Sequence, residues 1–352
     1  MSSPGITVLI TTYNYGRFIE EAIESVLSQD YPADKMEIVV VDDGSTDDTA
    51  ERVKKYESKI KYFQKPNGGQ ASALNFGFAR ARGEIIALLD ADDFFLPGKL
   101  ACVTEAFQSD PALGMVYHSL QEWNTQTNER HEANFPLISG DIRTVPGLFF
   151  SYYPHPTSCV SFRRTSLARL LPIPEVIRMI ADAYLVNLIP FLSSIRAVPE
   201  SFIVYRIHGE NSLPYFANVY QADESQMPIE TREARLRRWQ IVIDAMRKWL
   251  VDNGYTRRQI PVRTFLDCWA LWQKKERFLI KPPGRARFFW FVVFENYAAS
   301  PLQSWKLTAY NYLSALSALI FGYKKAHQMY EWRKRGMEMI QRWFEKPLRT
   351  RR

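Results

Sequence analysis

The first 110 residues alternate short apolar runs with helical stretches, and few architectures accommodate that rhythm. Ile6–Thr11 is a β-branched run that ends in the polar turn Thr11-Thr12-Tyr13-Asn14-Tyr15-Gly16. Behind it Phe18, Ile19, Ala22, Ile23, Val26 and Leu27 share one face of a helix. Glu37–Val41 reads as a second strand and runs into Asp42-Asp43-Gly44-Ser45-Thr46-Asp47, where Thr46 and Asp47 are good caps for a helix carrying Val53 and Tyr56. Lys61–Gln64 reads as a third strand. Pro66-Asn67-Gly68-Gly69 breaks the chain, and Ala71–Arg82 is predicted as an alanine-rich helix closed near Gly83. Ile85–Leu89 is apolar throughout, which predicts a strand buried on both faces. Strands alternating with helices of this length imply an α/β domain with a mostly parallel central sheet and right-handed crossovers.

In such a sheet, ligands sit outside the carboxyl ends of the strands. Thr11–Tyr13, Asp42–Asp43 and Asp90–Asp93 all lie just past those ends, so the three polar clusters should converge on one crevice. Asp90, Asp92 and Asp93 crowd three like charges at the end of a buried strand, which is costly unless a cation sits there. Divalent cations such as Mg²⁺ are typically held by one or two carboxylates plus substrate phosphates. A solvated acidic turn is the competing reading of these residues alone. The first strand is not followed by Gly-x-Gly-x-x-Gly, and no Gly-x-x-x-x-Gly-Lys-Ser/Thr occurs, which disfavours dehydrogenases and nucleoside-triphosphate hydrolases. Tyr13 can stack on a nucleobase, Asp43 can accept from an N–H of that base, and Asp90–Asp93 can hold a cation against a diphosphate. Base, ribose and metal-bound diphosphate together outline a nucleotide-sugar.

Four motifs carry a resemblance: Ile6-Thr-Val-Leu-Ile-Thr-Thr-Tyr-Asn14, Val39-Val-Val-Asp-Asp-Gly-Ser-Thr-Asp47, Asn67-Gly-Gly-Gln-Ala-Ser-Ala-Leu-Asn-Phe-Gly77 and Leu89-Asp-Ala-Asp-Asp93. In this order and spacing they resemble glycosyltransferase family 2, inverting enzymes of the GT-A, Rossmann-like fold. The resemblance implies that Thr11, Tyr13 and Asp43 hold the nucleobase and ribose, and that Asp90, Asp92 and Asp93 meet the sugar-nucleotide and a divalent cation, Mn²⁺ or Mg²⁺. It implies Asp182, in Met179-Ile-Ala-Asp-Ala-Tyr-Leu185, as general base and His208 as a second metal ligand to Asp92. Ala181 stands where many members carry another acid, and Asp182 reads equally as a helix start. His208 reads also as an ordinary loop residue, and Arg206 as either a phosphate contact or a surface salt bridge. The activity implied is transfer from a nucleotide-sugar, UDP-linked on family grounds, to a saccharide or lipid-linked saccharide acceptor. A nucleotidyltransferase and a non-catalytic scaffold are the alternatives.

The rest of the chain bounds the setting. Cys102, Cys159 and Cys268 are scattered without paired spacing, which fits a reducing compartment and neither a disulfide framework nor a zinc site. No signal peptide and no membrane span is read, so a cytoplasmic protein is expected. Beyond Tyr215 the alternation stops, and residues 216–352 read as a helical, aromatic- and basic-rich region appended to a 1–215 catalytic domain. Arg232–Val251 and Thr264–Leu279 have helical periodicity, and Phe288–Tyr297 and Trp305–Tyr323 are further candidates. From Phe321 to Arg352 ten basic residues face three acidic ones within a chain of net charge +7. Aromatic and basic residues on short helices fit peripheral contact with an anionic membrane surface; packing onto the catalytic domain is the competing use. Nothing resembles a nucleic-acid module, so no nucleic-acid partner is expected.

Overall fold

The computed structural model describes residues 5–133, 137–144, 156–209 and 229–280. The chain divides into two compact units, Met1–Ala222 with Arg237–Leu266, and Asp223–Leu236 with Asp267–Arg352. In the first unit, β1 (Ile6–Thr12), α1 (Gly16–Leu27), β2 (Met36–Asp42), α2 (Thr49–Lys54), β3 (Lys61–Gln64), α3 (Gln70–Phe78) and β4 (Ile85–Asp90) follow the predicted alternation. Their strands lie in the order β3-β2-β1-β4 and are all parallel. β1, β2 and β4 are buried along almost their whole length, because helices cover both faces of a parallel sheet. Residue 77 is a glycine where α3 meets β1: a Cβ there would lie 2.4 Å from Leu9 Cδ1. α3 ends at Phe78 rather than Arg82. Glu37 Oε2 takes the N–H of Arg82 and Thr7 Oγ1 takes that of Gly83, both at 2.8 Å, which draws this segment out of the helix.

After β4 the simple alternation gives way. β5 (Phe94–Phe95), α4 (Lys99–Ser109), β6 (Leu113–Asn124), β7 (Glu129–Glu132), β8 (Val160–Arg163), α5 (Arg164–Leu167), α6 (Ala181–Leu188) and β9 (Ser194–Ile207) complete the first unit's mixed half. The sheet continues β4-β8-β6-β9-β5, with β7 as a hairpin on β6. β8 runs antiparallel to both β4 and β6, and β9 runs parallel to β6. β9 therefore points the same way as β1 and β4, and its carboxyl end reaches the same edge.

α7 (Ile229–Asp252) and α8 (Ile260–Ile280) follow, each overlapping a predicted helix. Within the first unit, Trp239, Ile243, Met246 and Phe265 are buried, and the Tyr255 hydroxyl donates to Phe191 O at 2.9 Å. Within the second, Glu276 is paired with Arg232 and Arg235. Among the described residues no helix is long and apolar enough to cross a membrane, and the three cysteines are free. The expected boundary at 215, the candidate helices Phe288–Tyr297 and Trp305–Tyr323, and the basic stretch lie outside the described residues.

Candidate active site

Strand register gathers most of the expected residues. Thr11 pairs with Val41 of β2 on one side and Asp90 of β4 on the other. Asp43 N–H donates to Thr12 O at 2.9 Å and Ala91 N–H to Thr11 O at 3.2 Å, which carries the pairing past the strand ends. The turns bearing Tyr13, Asp43 and Asp90–Asp93 thus leave one edge of the sheet side by side. Tyr13 is 47% exposed, so its ring is open to a stacking partner.

Neighbouring aspartates do different work. Asp42 is fully buried and its carboxylate accepts from Ser45 N–H and the Tyr62 hydroxyl, both at 2.7 Å, which fixes the β2–α2 turn. Asp43 faces the loop after β3. Its Oδ1 accepts from Lys65 Nζ at 2.6 Å and Gly68 N–H at 3.0 Å, and its Oδ2 from Gly69 N–H at 2.7 Å. An ionised carboxylate offers about four acceptor positions, so this one keeps about one on Oδ2 for a further donor.

The acidic motif divides in the same way. Asp93 is 1% exposed, with Ser158 Oγ donating to Oδ2 at 2.6 Å and Arg206 N–H to Oδ1 at 3.0 Å. It braces the motif from behind. Ser158 Oγ also accepts Asp90 N–H at 3.0 Å, and the Ser158 carbonyl accepts from Lys99 Nζ at 2.6 Å. Lys99 is fully buried, 3.7 Å over the Phe95 ring, and desolvation pulls it down to about 7. Asp90 is held well above the ordinary carboxyl range by desolvation and then by the charges of Asp92, Asp93 and Asp182. Asp93 is raised too, by desolvation and Asp92.

Arg206 forms a salt bridge from a buried position. It is 6% exposed, bonds Asp92 O at 2.8 Å through Nε and Glu21 Oε2 at 2.6 Å through a terminal nitrogen, and lies against Phe18, Phe94 and Trp123. It locks the acidic turn to α1 and β9.

Asp92 faces His208, with Oδ2 3.2 Å from Nε2. The imidazole packs 4.6 Å from the Phe18 ring centroid and edge-on to Tyr15. Two adjacent ligands of an octahedral cation at about 2.1 Å stand roughly 3 Å apart, so carboxylate and imidazole have the spacing to share one. The exposed Arg17 lies 3.4 Å from Nδ1. Among the described residues no group of three or more His, Cys, Asp or Glu is placed to hold a metal.

Asp182 lies in the first turn of α6, a favourable place for a carboxylate. It also lies near the site, since its charge helps to raise Asp90, and Thr157 lowers both carboxyls. Desolvation pushes Asp182 up to about 6, against the downward pull of Thr157 and the Ala183 N–H. Sequence reasoning places Gln70 only within the Asn67–Gly77 motif, and it misses several participants: Lys65, Thr157, Ser158, Lys99 and Tyr205. The Tyr205 phenol is pushed up by desolvation and by Asp93, Asp92 and Asp90, which it faces. Tyr205 sits in the same Tyr-Arg-Ile-His stretch as His208, the one local signal for it; the others carry none.

Residues 7–171 match the model of the family described as Glycosyl transferase family 2. An uncharacterized glycosyltransferase of Nostoc sp. is 37% identical over 216 residues, which is 59% of this chain and 66% of that protein. One of Rickettsia typhi is 43% identical over 98 residues, 28% of this chain and 30% of the relative. The chain thus spans somewhat under two thirds of the first relative and about a third of the second. Among solved structures, S. aureus TarS 1–349 in complex with UDP-GlcNAc aligns with a TM-score of 0.58 at 19% identity, covering 93% of this chain and 91% of that one. The mannosyltransferase PcManGT from Pyrobaculum calidifontis, in complex with GDP-Man and Mn²⁺, aligns at 0.55 and 20%, covering 94% and 84%. These two likenesses are of fold. Over residues 7–171, the chain carries the pattern of glycosyl transferase family 2.

Proposed function

We propose that the chain is an inverting glycosyltransferase that moves a sugar from a nucleotide-sugar, a UDP-sugar in the first instance, to a hydroxyl of a saccharide or lipid-linked saccharide. One observation carries this reading: the charge of Asp182 reaches Asp90 and Thr157 acts on both carboxyls, which puts a candidate base near the carboxylates that would face a diphosphate. Asp182 removes the acceptor proton as the acceptor oxygen bonds to the anomeric carbon. The bond from that carbon to the diphosphate oxygen breaks on the opposite face, which inverts the configuration and releases the nucleoside diphosphate. Tyr13 stacks on the base, and the remaining acceptor position of Asp43 takes a base N–H. Asp92 and His208 would hold a divalent cation completed by the diphosphate, and when bound it neutralises charge on the leaving group.

The solved relatives with UDP-GlcNAc and GDP-Man support a nucleotide-sugar donor. The test is a thermal-shift screen of UDP, GDP, UDP-GlcNAc and GDP-Man with and without Mn²⁺. A ligand at 100 times its Kd stabilises by about 2.7 kcal/mol, so the preferred base reads out directly. A flat response to all four sinks the proposal. Attachment to the inner face of the cell membrane through the basic stretch belongs to the same reading. Its test is sedimentation with anionic liposomes, which truncation at Pro283 should abolish and which the intact chain must show.

A further inference from the structure

We infer that Gln70 is a positioning residue for Asp182, holding the strained turn from which that carboxyl is aimed; the inference rests on the reading of Asp182 as base. Ile180, directly before α6, has φ +55° and ψ +36°. A β-branched residue adopts this left-handed conformation only where its surroundings force it. Gln70 brackets it from both sides. Its backbone N–H donates to Arg178 O at 2.9 Å, and its side-chain Oε1 accepts Ala181 N–H at 2.8 Å. The second bond also satisfies one of the donors that a helix start leaves open.

The approach depends on Gly69. At φ +87°, a Cβ there would lie 2.8 Å from Arg178 O and 2.9 Å from Arg178 Cα, so no side chain fits. Arg178 reaches back to Asn67 Oδ1 at 2.7 Å, while Asp43 holds the N–H groups of Gly68 and Gly69. Gln70 Nε2 lies 3.5 Å from Thr157 Oγ1. One bonded path therefore runs from Asp43, at the nucleobase end, through the 68–70 loop to the base.

The experiment uses the full chain with Mn²⁺ and UDP-GlcNAc or GDP-Man, reading nucleoside diphosphate release with water as acceptor, plus UDP affinity by titration. Gln70→Met removes the bond to Ala181 and should lower kcat about 100-fold, the cost of misplacing a catalytic group by about 1 Å. KM and UDP affinity should stay within about threefold, since the loss falls on the transition state. Gln70→Glu keeps an acceptor for Ala181 N–H and should recover about tenfold. Unchanged kcat in Gln70→Met, or kcat and KM worsening together without recovery in Gln70→Glu, overturns the inference. Should Gln70→Met not fold, Gln70→Asn reads the same bond with a side chain too short to reach Ala181: reduced kcat at unchanged KM supports the inference, unchanged kcat overturns it. Asp182→Asn runs alongside. If it is silent, the base reading fails; if it is inactive while Gln70→Met is not, only the role of Gln70 fails.

Discussion

Replacing Asp182 by Asn exchanges a desolvated carboxyl for a neutral group of the same shape, and stability and turnover should move in opposite directions. Asp182 is pushed up to about 6, from 3.8. That gap, at 1.36 kcal/mol per pH unit, is about 3 kcal/mol. The residue is not fully covered, so this figure is an upper bound. The folded form holds the proton more tightly than the unfolded one. The stability this contributes is present below about pH 4 and is lost as pH rises through about 6. Asn cannot ionise, so the variant should match the parent near pH 4 and exceed it above pH 6, by up to about 3 kcal/mol or roughly 6–12 °C in Tm for a unit of this size. Asp90 adds to the effect with the same sign, since the Asp182 charge helps to raise it. Loss of a general base should meanwhile cost about 10²- to 10⁴-fold in turnover. Differential scanning fluorimetry at pH 4, 6 and 8, beside nucleoside diphosphate release, checks both halves. A variant less stable than the parent at pH 8, or a gain equal at pH 4 and pH 8, refutes the electrostatic reasoning, and retained turnover refutes the base.

Other perturbations test other parts of the site. Lys65→Met leaves the Asp43 carboxylate with backbone donors and no counter-charge; with exposures of only 12% and 6% for the pair, about 2–3 kcal/mol should be lost in urea unfolding. Asp92→Asn should remove the Mn²⁺-dependent part of the nucleotide-sugar thermal shift and leave the shift with UDP alone. Gly77→Ala drives a methyl against Leu9 in the core and should cost about 1–3 kcal/mol, read as a lower urea midpoint at unchanged slope.

The parallel half of the sheet is legible in the sequence because its cause is local. A strand covered on both faces needs an apolar run, and Val8–Ile10, Ile38–Val41 and Ile85–Leu89 are such runs. Once they are parallel, Tyr13, Asp43 and Asp90–Asp93 must share an edge. The mixed half is not legible, because no local pattern says that β8 inserts between β4 and β6. Arg206 shows the limit at one side chain: sequence offers phosphate or solvent, and the fold instead closes Phe18, Phe94 and Trp123 around it. Thr157 and Ser158 are neutral residues without periodicity, and they enter the site only because the chain returns there. Composition and period therefore determined that a polar crevice exists and where along the strands it opens. Tertiary structure alone decided that Asp93 braces the acidic turn through Ser158 and Arg206, and it set Asp92 at 3.2 Å from His208. The partners responsible lie 65 residues away for Asp93 and 116 for Asp92, beyond the reach of any local preference.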